Sequence, residues 1–277
     1  MLSGLNVSSR RLVVAGVTTS VLESGEGPPL VLLHGGIECG GIMWTPVVAD
    51  LALRHRVVVP DVPGLGESSP APRLDLDTFT HWFSGLLREL RIERPPLVAH
   101  SLVGSLAARF AAQHADLLGQ LVVYAAPGVG PYRMPTRLRY LAIRFAIRPT
   151  PSNAERFDRF ALLDVDATRR RDPSWYDAFT TYTRSRAAQR PVKRAMSQLI
   201  STQTKPIPDG ELVRIDIPTA LVWGRHDRMV PLPIGEAAAA RHGWPLHVVE
   251  DAAHAPHIEQ PQAFLTALAL TGATNAV

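Results

Sequence analysis

Three residues of this chain could together turn an alcohol into a nucleophile: Ser101, Asp227 and His254. A serine hydroxyl attacks poorly at neutral pH. It needs a base to take its proton, a third group to orient that base and donors to receive the oxyanion. Ser101 stands in LVAHSLVGSLAARF, where a short apolar run stops and an alanine-rich, helix-like segment starts at once. A tight strand-to-helix turn lifts a side chain above a sheet and sets it at a helix N-terminus, where free N–H groups and the dipole favour developing negative charge. The same place suits a plain helix N-cap, a routine use of serine. The partners decide between these readings. VWGRHDRMVP puts Asp227 in a loop past a strand end, and EDAAHAPHIEQP puts His254 in a loop past another. Ser, Asp and His in that order, each beyond the carboxyl end of a strand, is what an open parallel sheet needs to bring the three together. Glu250 and Asp251 are rival partners for His254, disfavoured because they lie too close to it in sequence.

The elements that must position these residues can be read from hydrophobic period and turn signals. Residues 11–23 predict two early strands with a turn near Gly16, and 28–36 a buried strand ending in glycines. A helix over 42–53, a strand over 55–61 and a helix over 76–90 with Asp77 as N-cap follow. Then come a strand over 95–100, a helix from Ser101 to about His114 and a strand over 119–127. Residues 131–210 show no strand and predict several helices parted by Pro- and Asp-containing turns. Alternation returns with strands over 217–224 and 245–251, a helix over 233–242 and a last helix to about Leu270. This predicts an α/β fold: a mostly parallel sheet with helices on both faces. Residues 1–130 and 211–277 would form the core domain, and 131–210 a helical cap over the active-site face.

Composition narrows the classes further. A single cysteine, Cys39, excludes an internal disulfide and a cysteine metal cluster. Zinc is not expected at His254 and His257, since no third ligand with metal spacing accompanies them. The N-terminal stretch lacks a long apolar core, so a secretory signal is not expected. No apolar run approaches the roughly 20 residues of a membrane span. The expectation is a cytoplasmic enzyme or binding protein without membrane or nucleic-acid partners. Residues 131–210 hold 16 Arg and Lys against 7 Asp and Glu, nearly all of the positive charge being arginine. That is a solvated helical surface or a field that favours acidic substrates.

LLHGG, PDVPGLGESS, AHSLVG, WGRHDRMVPL and AAHAPHIEQP occur in the order and spacing of the α/β-hydrolases, and the chain resembles that family from about residue 28 to 268. The resemblance implies Ser101 as nucleophile, His254 as general base and then acid, and Asp227 holding the imidazole tautomer. It implies an oxyanion hole from the N–H groups of Gly36 and Leu102, substrate contacts from Gly35, Ile37 and His100, and no cofactor or metal. It implies structural parts for Asp61 and Gly64, and an oxyanion-loop part for His34. The family's Gly-x-Ser-x-Gly is Ala99-His100-Ser101-Leu102-Val103 here, and the valine predicts a looser or shifted turn.

APGVGPYRMP, LISTQTKP and WGRHDRMVPL further resemble the hydrolases that cleave carbon–carbon bonds in ring-fission products. That likeness implies a carboxylate-gripping arginine, Arg184 or the neighbouring Arg186, since a guanidinium binds both carboxylate oxygens. His100 before the serine and Ala255 after the histidine depart from that group, and His100 resembles esterases. The favoured expectation is a carboxylesterase for small or medium esters. A C–C hydrolase of acidic ring-cleavage products, a cofactor-free perhydrolase or haloperoxidase-like enzyme and a non-catalytic ligand-binding protein are the alternatives. The sequence leaves the oligomeric state open.

Overall fold

The computed structural model describes residues 6–274. Residues 1–5 and 275–277, at the outer ends of the expected core segments, lie outside the described residues.

In chain order the elements are β1 Ser8–Val14, β2 Val17–Ser24, β3 Pro29–Leu33, α1 Thr45–Leu51, β4 Arg56–Pro60, α2 Leu76–Glu89, β5 Pro96–His100, α3 Ser101–Ala111 and β6 Gln120–Tyr124. Then follow α4 Thr136–Ile147, α5 Pro151–Ala161, α6 Val165–Arg171, α7 Pro173–Ala187, α8 Arg190–Gln203 and α9 Asp209–Leu212. The chain closes with β7 Thr219–Gly224, α10 Leu232–His242, β8 Leu246–Val249, α11 Pro256–Glu259 and α12 Pro261–Leu270. No helix of the described residues is long and apolar enough to cross a membrane.

One sheet holds all eight strands in the order β1-β2-β4-β3-β5-β6-β7-β8. The first two strands join it antiparallel, and β3 to β8 run parallel. PLVLL, RVVVP, PLVAH and QLVVY are buried at every position but the first, because helices cover both faces. The edge strand β1 is exposed over Ser8–Arg11 and carries two arginines there, which blunts the edge against further pairing. On one face α2 turns Phe79, Trp82, Phe83, Leu86 and Leu87 inward at helical spacing, and Phe83 meets Phe110 of α3 edge-on at 5.2 Å.

Register decides what the sheet presents. Leu33 pairs with Ala99, His100 with Tyr124, Tyr124 with Val222 and Gly224 with Val249. The carboxyl ends of five parallel strands are therefore level, and the segments after them open on one edge of the sheet.

Three local expectations differ in detail. The N-cap of α2 is Asp75, whose side chain accepts from the Thr78 N–H at 3.0 Å. Asp75 has the extended backbone a cap requires, whereas Asp77 already lies in the first helical turn. The expected helix over 42–53 is a tight 3₁₀ segment, Gly40–Trp44, running into α1. The final helix is broken at Gln260, before Pro261, into α11 and α12.

Candidate active site

Ser101 has φ +54°, a left-handed backbone that a residue with a Cβ rarely adopts. It persists because the surroundings leave room for nothing else. A Cβ on Gly35 would stand 3.2 Å from that of Ser101 and 2.6 Å from Nδ1 of His100. A Cβ on Gly104 would stand 2.7 Å from the Ala99 oxygen and 3.0 Å from the Ala126 Cβ. Val103 does not loosen the turn as expected. It points into the core, fully buried, and the position that must be small is the next one.

The loops after β7 and β8 bring Asp227 and His254 to this serine. His254 Nε2 is 3.0 Å from Ser101 Oγ, and His254 Nδ1 is 2.8 Å from Asp227 Oδ2. Asp227 spends its other oxygen on the N–H groups of Met229 and Val230, at 2.8 and 2.9 Å. Only one of its oxygens is left to face the imidazole. With the proton on Nδ1, donated in a hydrogen bond to that carboxylate, Nε2 is an acceptor for the serine hydroxyl. All three side chains are buried. The rival acids stand elsewhere: Glu250 pairs with Arg225 at 2.7 Å and Asp251 is exposed. His226 is exposed as well.

The glycine loop after β3 approaches the serine from the other side. A Cβ on Gly36 would lie 2.6 Å from Leu102 Cδ1 and 3.1 Å from its Cβ, so the glycine lets the two segments meet without moving the Leu102 side chain. The Ile37 N–H is spent on the Gly35 carbonyl at 2.8 Å. Leu102 stands in the first turn of α3, where backbone N–H groups have no partner within the helix. His34 clamps this loop: Nδ1 donates to the Gly35 oxygen at 2.6 Å and Nε2 accepts from the Val62 N–H at 2.9 Å. Burial holds its pKa down to about 4, so it remains a neutral hinge pin. Asp61 accepts from the Gly41 and Glu67 N–H groups and shapes the neighbouring turns. Gly64, with φ +83°, turns the chain there.

Behind His254 lies a layer of neutral rings. His100 Nε2 is 3.0 Å from the His254 carbonyl oxygen, and the two imidazoles lie tilted at 44° with centroids 4.7 Å apart. His257 Nδ1 is 3.0 Å from the Tyr124 hydroxyl. Burial pushes the pKa of His100 well down and that of His257 to about 3. Cys39 is buried and its thiol is pushed up by burial, which keeps it from acting as a thiolate. Among the described residues no group of three His, Cys, Asp or Glu could hold a metal ion.

A cavity runs from Ser101 and His254 up between α4, α5, α7 and α8. Gly35, Gly36, Ile37, His100 and Leu102 line its floor, and Met134, Leu138, Phe145, Phe157, Met196 and Ile200 are among its walls. Its charged-type residues are all acidic: Glu38, raised to about 7 by burial, and Asp158, raised to about 6 by burial. No arginine or lysine lines it. Arg184 is not in it. α7 turns Tyr176, Phe179, Thr180 and Thr183 inward, and Arg184, one residue on, is rotated about 100° away. Arg184 lies in an adjoining polar recess, which shares Ala154, Asp158, Tyr176 and Thr180 with the cavity and also holds Glu155, Arg169 and Asp177, and it touches Thr181 of its own helix. Arg186 is turned toward Glu67, at 3.5 Å. Sequence reading also passed over Tyr132, whose hydroxyl donates to the Met229 oxygen beside Asp227, and Glu259 beside His254. Neither has a spacing signature of its own.

Comparison with known proteins places the chain in a family. The sequence model of the alpha/beta hydrolase fold family matches residues 28–261. The pimeloyl-[acyl-carrier protein] methyl ester esterase of Aeromonas hydrophila is 29% identical over 262 residues, covering 90% of this chain and 97% of that protein. The 2-hydroxy-6-oxo-2,4-heptadienoate hydrolase of Pseudomonas putida is 25% identical over 281 residues, covering 95% and 96%. Among solved structures, a 2-hydroxy-6-oxo-6-phenylhexa-2,4-dienoate hydrolase from Rhodococcus sp. strain RHA1 superposes with a TM-score of 0.83 at 20% identity, covering 96% of this chain and 98% of that one. The last likeness is one of fold.

Proposed function

The chain belongs to the alpha/beta hydrolase fold family, and on that premise we propose that it is a serine hydrolase of neutral carboxylic esters with an apolar acyl part. The observation that carries this reading is the cavity beside Ser101, walled by apolar side chains and without a single cation. A buried carboxylate on a substrate would find no partner there and two acidic neighbours instead. The methyl ester named for the Aeromonas relative accords with it.

In the proposed reaction Ser101 Oγ adds to the ester carbonyl carbon while His254 Nε2 takes its proton. Asp227 stabilises the resulting imidazolium. The N–H groups of Gly36 and Leu102 receive the oxyanion. Collapse expels the alcohol oxygen, which takes the proton from His254. Water then adds to the acyl-enzyme by the same steps in reverse order of roles, and the acid leaves. Ester and water become acid and alcohol, with nothing else consumed.

The test is hydrolysis of p-nitrophenyl esters from acetate to octanoate by wild type and Ser101→Ala, with a 2-hydroxy-6-oxo-dienoate assayed alongside. The expected result is ester turnover that falls roughly 10⁴-fold in the variant, and no cleavage of the dienoate. Dienoate cleavage without ester turnover would overturn the ester reading. Ester turnover that survives in Ser101→Ala would remove the assigned nucleophile.

A further inference from the structure

A carboxylate offers about four lone-pair sites on two oxygens, enough to tie several backbone N–H groups at one point. Glu259, at the end of the one-turn helix α11, does this with three. Its Oε1 accepts from the N–H of Ala253 at 2.9 Å and of Ala255 at 3.1 Å, the two residues that flank His254. Its Oε2 accepts from the N–H of Leu163 at 2.6 Å, which belongs to the helical segment above the sheet. The backbone of His254 is held by that helical segment and by His100 of β5. Its N–H donates to the Ala161 oxygen at 3.0 Å, and its carbonyl accepts from His100.

The Asp227 side is tied to the same place. Arg228, next to Asp227, donates to the carbonyls of Leu162 and Arg159. Arg171, at the end of α6, donates to the carbonyls of Ile258 and Glu259. Residues 161–163 thus bond by backbone to both loops that carry the imidazole and its acid, and Ala161 and Leu162 also line the cavity. Each of these backbone groups is costly to bury unpaired, so the contacts form or break together.

We infer that Glu259 is a positioning residue for His254, and that residues 161–163 are the part of the helical segment whose seating sets the His254 loop. Cavity wall and reacting imidazole then settle as one unit. The inference rests on the serine-hydrolase reading above.

Three variants separate the contacts. Glu259→Ala removes all three. Glu259→Gln keeps an acceptor for Ala253 and Ala255 but turns an amide donor toward the Leu163 N–H. Leu163→Pro deletes that N–H alone. Leu163 is exposed, and Leu162 before it is already extended at φ −103° and ψ 153°, as a residue preceding proline should be. The measurement is the rate at which a fluorophosphonate modifies Ser101, followed by intact mass, with circular dichroism and the low-field imidazole proton signal recorded on each variant. That signal reports the His254–Asp227 bond without any substrate.

Expected are labelling roughly tenfold or more slower in Glu259→Ala, with loss of the imidazole signal, and an intermediate slowing of roughly three- to fivefold in the other two. Wild-type rate and signal in a folded Glu259→Ala would overturn the inference. If Glu259→Ala does not fold, wild-type rates in both Glu259→Gln and Leu163→Pro would overturn it. A wild type that takes no label on Ser101 would instead bring down the serine-hydrolase reading itself, and the inference with it.

Discussion

Gly104 lies against the backbone of Ala99 so closely that a Cβ on the glycine would stand 2.7 Å from the Ala99 carbonyl oxygen. The tight point of the serine turn is therefore the third residue after Ser101. Val103, the residue before it, is fully buried core.

Substitutions at these neighbours should part company. Gly104→Ala should push α3 off β5, lowering kcat roughly tenfold or more by displacing Ser101 Oγ. Val103→Gly should leave the turn in place and cost stability of about 2–4 kcal/mol through lost burial and helix propensity. Chemical denaturation and ester kinetics on both variants check this; a Val103→Gly protein of wild-type stability would refute it.

The glycine loop gives a second test. Gly36→Ala places a methyl group against Leu102 and pries apart the two N–H groups assigned to the oxyanion. The loss should fall on kcat, by roughly 10²-fold, with KM changed little. An unchanged kcat would show that the oxyanion is held elsewhere.

Charge selectivity follows from the cavity wall. A half-ester with a free carboxylate should be hydrolysed at least about tenfold less efficiently than the matching diester. Arg184→Gln should change KM for either substrate by less than about twofold, since that side chain faces another recess. A specific rise in KM for the half-ester would restore the arginine as a carboxylate clamp.

Stability should depend on pH through Glu38. Its pKa is raised to about 7 by burial, against an ordinary value of 4.5. A raised pKa means that the folded state holds this proton more tightly than the unfolded chain. The stabilisation from the neutral carboxyl is complete below pH 4.5 and is lost as pH rises through 7. Glu38→Gln keeps the neutral shape, so it should raise Tm at pH 8 and flatten the fall of Tm between pH 4.5 and 7, where the folded and unfolded chains differ in bound protons, relative to wild type. Calorimetry across that range reads it directly, and parallel slopes would refute it.

The order of strands and helices and the convergence of Ser101, Asp227 and His254 were legible in the sequence because each rests on a local signal: an apolar run, a turn, a residue just past a strand end. Arg184 was misplaced because a sequence fixes the spacing of residues along a helix but not the rotation of that helix about its axis. One residue, Thr183 to Arg184, is the difference between cavity and recess. Asp77 and Asp75 differ only in which has extended backbone, and both sit at a plausible helix start. Glu259 was passed over because its partners are backbone N–H groups, two of them four and six residues away and one 96 away, and backbone groups leave no residue type to recognise. Val103 signalled a turn that is shifted rather than looser, since the close approach under Ser101 falls one position along the helix, at Gly104.

The cavity without a cation also has a direction. On the proposed reaction an ester would enter it uncharged and its acid product would become an anion beside Glu38 and Asp158, with no arginine or lysine among the described lining residues to pair with it. Hydrolysis would then turn a guest suited to these walls into one suited less. On this proposed reaction the enzyme needs no separate device to shed its product, and accumulated acid should be a feeble inhibitor.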